Sequence, residues 1–257
     1  MPSLLISVVI PIFNSANTLE ATLLSIVAQS RKPDEVVIVD DGSRDNLREV
    51  LASYKERLPI TLIANDQNRG IGFSLRAGVE RSIGDLIFRI DADDSWGPEH
   101  LALSEQVFLN SPEVVLCNSS ARLIDQSGKQ LGLHAAVNDT DVRRALISDN
   151  PFIHSAVSFR KAAYFQVGGY PQGIRWEDYS LWIEMASLGK IGLVPQVTLN
   201  YFVSPNSLSR VSKGIALRDR WLSQKKAISL FGQHYPVTVF LAFVAFCVKM
   251  VLIKFNK

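Results

Sequence analysis

Residues 35–43 have the sequence EVVIVDDGS, in which four β-branched residues run directly into two aspartates, a glycine and a serine. A short, uninterrupted apolar run that ends in turn-forming residues predicts a β-strand buried on both faces. Residues 86–94, LIFRIDADD, follow the same order and end in three acidic residues. We therefore predict two buried strands, each followed by a turn rich in carboxylates.

Apolar runs of strand length alternate with helical patterns on either side of these two segments. The predicted strands are Leu5–Ile12, Glu35–Asp40, Ile60–Ala64, Leu86–Ile90 and Val114–Cys117. The predicted helices between them are Thr18–Ala28, Leu47–Lys55, Gly72–Ser82 and Pro98–Asn110. This alternation predicts an α/β fold with a mainly parallel, Rossmann-like sheet flanked by helices. Ligands bind beyond the carboxyl ends of the strands in such sheets, where both acidic segments lie.

The composition is that of a globular protein. Of 257 residues, 47% are hydrophobic and 20% are charged, which excludes disorder as the overall state. The net charge of +2 gives no reason to expect nucleic-acid binding. Two cysteines are too few for a disulfide framework or a cysteine zinc site. The chain begins with an apolar run that no basic residue precedes, so a secretory signal peptide is not expected.

The acidic segments are the strongest indication of chemistry. Asp91, Asp93 and Asp94 repel one another unless a cation or protons offset their charge. Mg²⁺ and Mn²⁺ prefer such oxygen ligands and commonly bridge to substrate phosphates. Aspartates also favour turns and helix N-caps, and this is the alternative for either segment alone. Together, at one edge of a sheet, the two segments favour a nucleotide and metal site.

Other phosphate-binding devices are missing from the sequence. The first strand leads into Pro11-Ile12-Phe13-Asn14 without a glycine, which argues against a dinucleotide-binding turn, and there is no Walker loop. The order Asp91-x-Asp93 after a strand also suggests an aspartyl-phosphate phosphatase, but the continuation Asp94-Ser95 does not fit that class.

Five short motifs, taken in order, resemble those of family-2 glycosyltransferases with the GT-A fold. They are Pro11-Ile12-Phe13-Asn14, Val39-Asp40-Asp41-Gly42-Ser43, Asn68-Arg69-Gly70 with Arg76, Asp91-Ala92-Asp93-Asp94, and Glu177-Asp178 with the following Tyr179-Ser180-Leu181-Trp182. The resemblance covers roughly residues 3 to 210. It implies transfer of a sugar from a nucleotide donor, with inversion at the anomeric carbon, in bacterial surface-polysaccharide biosynthesis.

The resemblance also implies roles for single residues on the donor side. The residues implied in nucleotide binding are Pro11, Asn14, Asp41, Arg76 and Asp91. Asp41 would accept a hydrogen bond from uracil or a similar base edge, so a UDP-linked donor is expected. Asp91 and Asp93 would form the metal site, with Asp93 binding the Mn²⁺ or Mg²⁺ ion that bridges the diphosphate.

On the acceptor side, the resemblance implies that Asp178 is the general base. Inversion by single displacement needs one base that deprotonates the acceptor hydroxyl. The alternative is that Asp178 merely complements the dipole at a helix N-terminus. His154, Trp176 and Glu177 are further acceptor-side candidates, although a lone histidine is more often structural. We expect residues 1–120 to form the nucleotide-binding half and residues 121–232 the acceptor half of one domain.

The C-terminal segment concentrates both apolar and basic residues. Residues 237–253 are VTVFLAFVAFCVKMVLI, and from residue 205 onward the chain has nine Lys and Arg and one acid, a charge of +8. A helix of 17 residues spans about 25 Å, short of a hydrocarbon core of about 30 Å. We expect residues 233–257 to attach a cytoplasmic protein to the inner face of the cell membrane, as an interfacial helix or a marginal span. A buried helix or a partner interface is the alternative.

The predicted function is therefore an inverting, metal-dependent glycosyltransferase with a saccharide or polyprenyl-linked acceptor. A nucleotidyltransferase would also use carboxylate-held metal on an α/β sheet, but it would release pyrophosphate and needs a glycine-rich basic loop that is missing here. A non-catalytic nucleotide-sugar-binding module would bind the donor without turnover, and the intact Asp91, Asp93 and Asp178 argue against it.

Overall fold

The computed structural model describes residues 4–204 and 213–255 of the chain. The described strands form one mixed sheet. They are β1 (Ile6–Ile12), β2 (Glu35–Asp40), β3 (Ile60–Ala64), β4 (Leu86–Arg89), β5 (Ser95–Trp96), β6 (Val114–Ile124), β7 (Gln130–His134), β8 (Val157–Arg160) and β9 (Lys190–Phe202). The strand order is β3-β2-β1-β4-β8-β6-β9-β5, and β7 pairs with the end of β6.

The first four strands are parallel, as predicted. β1 pairs with β2 and β4, and β2 pairs with β3. The register places Ile12 opposite Asp40 and Val9 opposite Arg89. The turns that follow β1, β2 and β4 therefore lie along one edge of the sheet.

The expectation of a mainly parallel sheet is wrong for the second half of the chain, where β6 and β9 pair parallel but the other pairs are antiparallel. β8 lies between β4 and β6 and is antiparallel to both, and β5 and β7 also pair antiparallel to their neighbours. The reason is the direction in which the chain enters β8. The 3₁₀ turn His154–Ala156 lies beside the end of β4, so the chain begins β8 at the carboxyl edge and runs back along β4.

Helices cover both faces of the sheet, as predicted. They are α1 (Ala16–Val27), α2 (Leu47–Ala52), α3 (Ile71–Arg81), α4 (His100–Asn110), α5 (Asp139–Ser148), α6 (Lys161–Gln166), α7 (Glu177–Leu188), α8 (Lys213–Phe231) and α9 (Pro236–Phe255). Successive strand residues point to opposite faces. Val8 accordingly packs in the apolar cluster under α1, α2 and α4, and Val9 packs in the cluster under α3, α5 and α7.

The last two helices pack against the second of these clusters. Phe231 of α8 and Ala242 of α9 are buried there, and Trp221 stacks on Phe246 with 4.2 Å between ring centroids. The apolar C-terminal helix predicted from the sequence is therefore present. None of the helices in residues 4–204 and 213–255 is long and apolar enough to cross a membrane, so the expectation of a marginal span is wrong for this part of the chain.

Candidate active site

The turn after β2 is tied to the end of β1. Asn14 has a left-handed φ of 50°, donates its backbone N–H to Oγ of Ser43 over 3.0 Å, and accepts at Oδ1 from the backbone N–H of Arg44 over 2.9 Å. Pro11 is buried in β1, opposite Val39. The structure therefore brings Pro11 and Asn14 beside the predicted nucleotide-binding turn, with the side-chain oxygen of Asn14 holding that turn in place.

Asp41 is buried and fixes the loop that leads from β3 to α3. Its carboxylate accepts hydrogen bonds from the side-chain amide of Asn65 (2.8 Å) and from the backbone N–H groups of Arg69 (2.9 Å) and Gly70 (2.8 Å). A carboxylate has about four acceptor positions, and the described hydrogen bonds use three of them, two on Oδ1 and one on Oδ2. Gly42 lets the turn after β2 approach this loop closely. Its φ is +81°, and a Cβ there would lie 2.9 Å from the backbone of Gln67.

Arg76 points away from this turn. On α3, its Nε forms an ion pair with Oε1 of Glu80 over 2.8 Å, and its Nη1 lies 3.4 Å from the carbonyl oxygen of Gly168. The guanidinium of Arg76 therefore lies near the segment between α6 and α7. Among the described hydrogen bonds and ion pairs, none joins Arg76 to Asp41 or Asp91.

The three carboxylates after β4 form a compact cluster. One oxygen from each of Asp91, Asp93 and Asp94 lies within 4.8 Å of the others. Burial, followed by the charge of Asp91, raises the pKa of Asp93 to about 6 and raises that of Asp94 well above its usual range. Asp94 accepts the N–H of Phe202 at Oδ1 over 2.8 Å, whereas its buried Oδ2 has no hydrogen-bond partner among the described residues. An oxygen left without a partner beside two further carboxylates fits a divalent cation.

Asp178 and Glu177 begin α7. Trp176 precedes them with a left-handed φ of 70° and turns the chain into the helix. Asp178 accepts the side-chain amide of Asn150 at Oδ2 (2.8 Å) and the N–H of Tyr179 at Oδ1 (2.7 Å). Burial raises the pKa of Asp178, and burial with the charge of Asp178 raises the pKa of Glu177 to about 7. A carboxylate with a raised pKa suits general base chemistry near neutral pH.

The α7 carboxylates and the β4 cluster belong to one site. Arg89, at the end of β4, lowers the pKa values of Asp93, Glu177 and Asp178, and Asp91 adds to the rise in the pKa of Glu177. The 3₁₀ turn His154–Ala156 contacts both groups, because Oγ of Ser155 accepts the N–H of Asp91 over 3.1 Å and the ring of His154 lies 5.4 Å from that of Trp182 in α7. The structure therefore packs the predicted metal ligands and the helix that carries the predicted base against the same turn.

The acceptor-side candidates have different environments. His154 pairs with the hydroxyl of Tyr170 through Nε2 over 2.8 Å and meets Trp182 edge-on, and burial lowers its pKa well below the usual range. His154 therefore packs between Tyr170 and Trp182. Trp182 is fully buried in the core, whereas Trp176 is partly exposed beside Glu177.

Three residues that shape the site were not predicted from the sequence, namely Arg89, Asn150 and Ser155. Arg89 could have been recognised from the sequence, because a charged residue inside the apolar run LIFRI must be paired to be buried. Asn150 and Ser155 left none, because they reach the site through contacts with residues 28 and 64 positions away in the chain.

Comparison with known proteins identifies the family of the chain. Residues 7–167 match the family described as glycosyl transferase family 2. The chain belongs to this family and is a glycosyltransferase.

Two relatives have specific names. The amylovoran biosynthesis glycosyltransferase AmsE of Erwinia amylovora is 32% identical over 186 residues, which cover 71% of this chain and 70% of AmsE. The UDP-Gal:alpha-D-GlcNAc-diphosphoundecaprenol beta-1,3-galactosyltransferase of Escherichia coli is 27% identical over 190 residues, which cover 73% of this chain and 69% of that enzyme.

Solved structures share the fold at low sequence identity. TarS 1-349 of S. aureus, in complex with UDP-GlcNAc, has a TM-score of 0.71 at 16% identity over 88% of this chain and 67% of its own. The mannosyltransferase PcManGT of Pyrobaculum calidifontis, in complex with GDP-Man and Mn²⁺, has a TM-score of 0.67 at 20% identity over 98% of this chain and 76% of its own. The fold is thus the α/β GT-A type, with a mixed sheet between its helices.

Proposed function

We propose that the chain is an inverting, metal-dependent glycosyltransferase that moves a sugar from a UDP-linked donor to a polyprenyl-linked saccharide in surface-polysaccharide assembly. The observation that carries the proposal is that the Asp91–Asp94 cluster and α7, which begins at Glu177 and Asp178, contact the same 3₁₀ turn through Ser155 and His154. The names of two relatives support the context, since one acts in amylovoran biosynthesis and the other on a diphosphoundecaprenol acceptor.

The donor would bind at the carboxyl edge of β1, β2 and β4. The remaining acceptor position of Asp41 would receive an N–H of the base, and Pro11 and Asn14 would border the same pocket. Asp91 and Asp93 would hold Mn²⁺ or Mg²⁺, with Asp94 beside them. The cation would offset the negative charge that develops on the departing diphosphate.

The transfer would be a single displacement. Asp178 would accept the proton of the acceptor hydroxyl, whose oxygen forms a bond to the anomeric carbon. The bond from that carbon to the phosphate oxygen breaks at the same time, and the nucleoside diphosphate leaves with the electron pair. Attack opposite the leaving group inverts the anomeric configuration. Glu177, with a pKa of about 7, would remain largely protonated below neutral pH and limit repulsion beside Asp178.

We also propose that α9 lies on an anionic membrane surface. Val237, Phe240, Leu241, Val244 and Val248 are 40–70% exposed. Their spacing of three and four residues places them on one helix face. Residues 205–257 carry a charge of +8, which favours binding to anionic lipid.

The wild-type chain should sediment with phosphatidylglycerol vesicles and less with phosphatidylcholine vesicles. Phe240→Glu should abolish sedimentation with phosphatidylglycerol. Leu133→Glu, at an exposed apolar residue of β7, is the control; equal sedimentation of Phe240→Glu and wild type would contradict the proposal.

The chemistry is tested by identifying the products. Purified protein is incubated with UDP-sugars, Mn²⁺ and a polyprenyl-diphosphate saccharide. The proposal predicts release of UDP and a product whose new linkage, determined by NMR, has the anomeric configuration opposite to that of the donor. A retained configuration would overturn inversion. Release of pyrophosphate would establish the nucleotidyltransferase alternative, and donor binding without any transfer would establish the non-catalytic one.

A further inference from the structure

Arg89 is a buried cation beside the Asp91–Asp94 cluster. Its side chain is 2% exposed. Its two terminal nitrogens form a bidentate ion pair with Asp91, with Nη1 2.6 Å from Oδ2 and Nη2 2.5 Å from Oδ1. Such a two-pronged pair fixes the orientation of a carboxylate as well as its charge. A buried charge is costly unless it is paired, so the buried guanidinium of Arg89 needs the carboxylate of Asp91 as its counter-charge.

Ser155 fixes the same aspartate through its backbone. Its Oγ accepts the N–H of Asp91 over 3.1 Å and also lies 3.4 Å from Nη1 of Arg89. Ser155 belongs to the 3₁₀ turn from which β8 starts, and β8 runs antiparallel beside β4. The antiparallel insertion of β8 thus brings a second support to Asp91.

The arrangement leaves Asp91 partly available. Each carboxylate oxygen has two acceptor positions, and the guanidinium takes one on each. Oγ of Ser155 also lies 3.5 Å from Oδ2. The Asp91 side chain remains 33% exposed, and the second position of Oδ1 has no partner among the described hydrogen bonds. The Nε of Arg89, in contrast, is buried without a hydrogen-bond partner among the described residues. A buried donor without a partner is costly, and its retention is expected where geometry serves function rather than stability.

We propose that Arg89 is a positioning residue that acts through Asp91: it presents the free edge of this carboxylate to the metal-bound nucleotide. This inference rests on the proposed function. Lysine would supply the charge but not the planar fork, so it should not replace arginine here.

The test measures ligand binding, independently of turnover. Binding of UDP in the presence of Mn²⁺ is measured by calorimetry, and Mn²⁺ binding alone by electron paramagnetic resonance, for wild type, Arg89→Lys, Arg89→Met, Asp91→Asn and the double variant Arg89→Met with Asp91→Asn. Residues that support a metal ligand contribute about 10- to 100-fold in affinity. Both Arg89 variants should lose affinity in this range, and the double variant should lose no more than Asp91→Asn alone, because Arg89 acts through Asp91.

The matched control is Arg160→Met, which removes an arginine of β8 that donates to the carbonyl oxygens of Val114 and Phe108 away from the site. It should leave both affinities unchanged. If Arg89→Met does not fold, Arg89→Lys and the double variant, which removes both charges together, carry the test. Wild-type affinity in Arg89→Lys, or losses that multiply in the double variant, would overturn the inference alone. A wild-type chain that binds neither UDP nor GDP with Mn²⁺ would overturn the proposed function and this inference with it.

Discussion

Asn150 donates a hydrogen bond from its side-chain amide to Oδ2 of Asp178 over 2.8 Å. A hydrogen bond to the charged form of a carboxylate lowers its pKa, and here it opposes the larger effect of burial. Asn150 thereby keeps the proposed base ionised at lower pH than burial alone would allow.

The variant Asn150→Ala should therefore move the acid limb of the pH–activity profile to higher pH. Loss of one hydrogen bond to a charged group corresponds to a shift of about 1 pH unit. The profile of kcat is measured between pH 5 and 9. Asn110→Ala, at an exposed amide at the end of α4, is the control. An acid limb that stays in place in Asn150→Ala would show that Asp178 does not titrate as the base.

Glu177 should make the fold less stable as the pH rises. Its pKa is about 7 in the folded chain against 4.5 ordinarily, so the folded state binds the proton more tightly. The resulting stabilisation is complete below about pH 4.5 and is lost as the pH rises through about 7. Glu177→Gln should be more stable than wild type at pH 8, by about 1–2 kcal/mol, in urea unfolding followed by circular dichroism.

The control for this experiment is Glu113→Gln, because Glu113 is an exposed carboxylate paired with Lys190 and its pKa is lowered. This variant should leave the change in stability between pH 5 and 8 as in wild type. Parallel stability curves for Glu177→Gln and wild type would contradict the raised pKa of Glu177.

Asp93 should determine the response to metal. A ligand that binds only the folded state stabilises it by about 2.7 kcal/mol at a concentration of one hundred times Kd. Excess Mn²⁺ should therefore raise the Tm of wild type, and Asp93→Asn should abolish the shift. Asp141→Asn, in the first turn of α5, should retain it. An equal rise in Tm with Mn²⁺ in Asp93→Asn and wild type would show that Asp93 does not bind the cation.

Gly42 should be required for the loop that Asp41 holds. Gly42→Ala forces a side chain into a left-handed conformation and against the backbone of Gln67, whereas Gly128, with a φ of +79°, has open space around it. Both alanine variants bear the backbone strain of about 1–3 kcal/mol, but only Gly42→Ala meets the clash. We expect Gly42→Ala to be the less stable variant in urea unfolding and the only one with weakened UDP binding. Equal UDP affinity in the two variants would show that the loop held by Asp41 does not take part in nucleotide binding.

The sequence predicted the half of the site that depends on local pattern. β1 to β4 follow from short β-branched runs, and parallel pairing aligns their carboxyl ends, so the pattern of residues is enough to place Asp41 and Asp91 at one edge of the sheet. The carboxylates of Asp91, Asp93 and Asp94 lie together at this edge, as the pattern predicts.

The other half depends on contacts between distant parts of the chain. β9 was not predicted because Gly192 and Pro195 interrupt its apolar pattern, and its pairing with β6 is non-local. The antiparallel direction of β8 is set by where the preceding turn lies in space, which no periodicity encodes. For the same reason the contact of Asn150 with Asp178 had no signal in the sequence.

The most direct measurement is the rate of sugar transfer by Asp178→Asn, at saturating donor and Mn²⁺, together with its affinity for UDP. A positioned general base contributes about 10²- to 10⁴-fold to the rate. We expect a loss of kcat in that range with UDP affinity unchanged, because the amide can accept a hydrogen bond but cannot take the proton. A wild-type rate in Asp178→Asn would contradict the assignment of the base and with it the proposed mechanism.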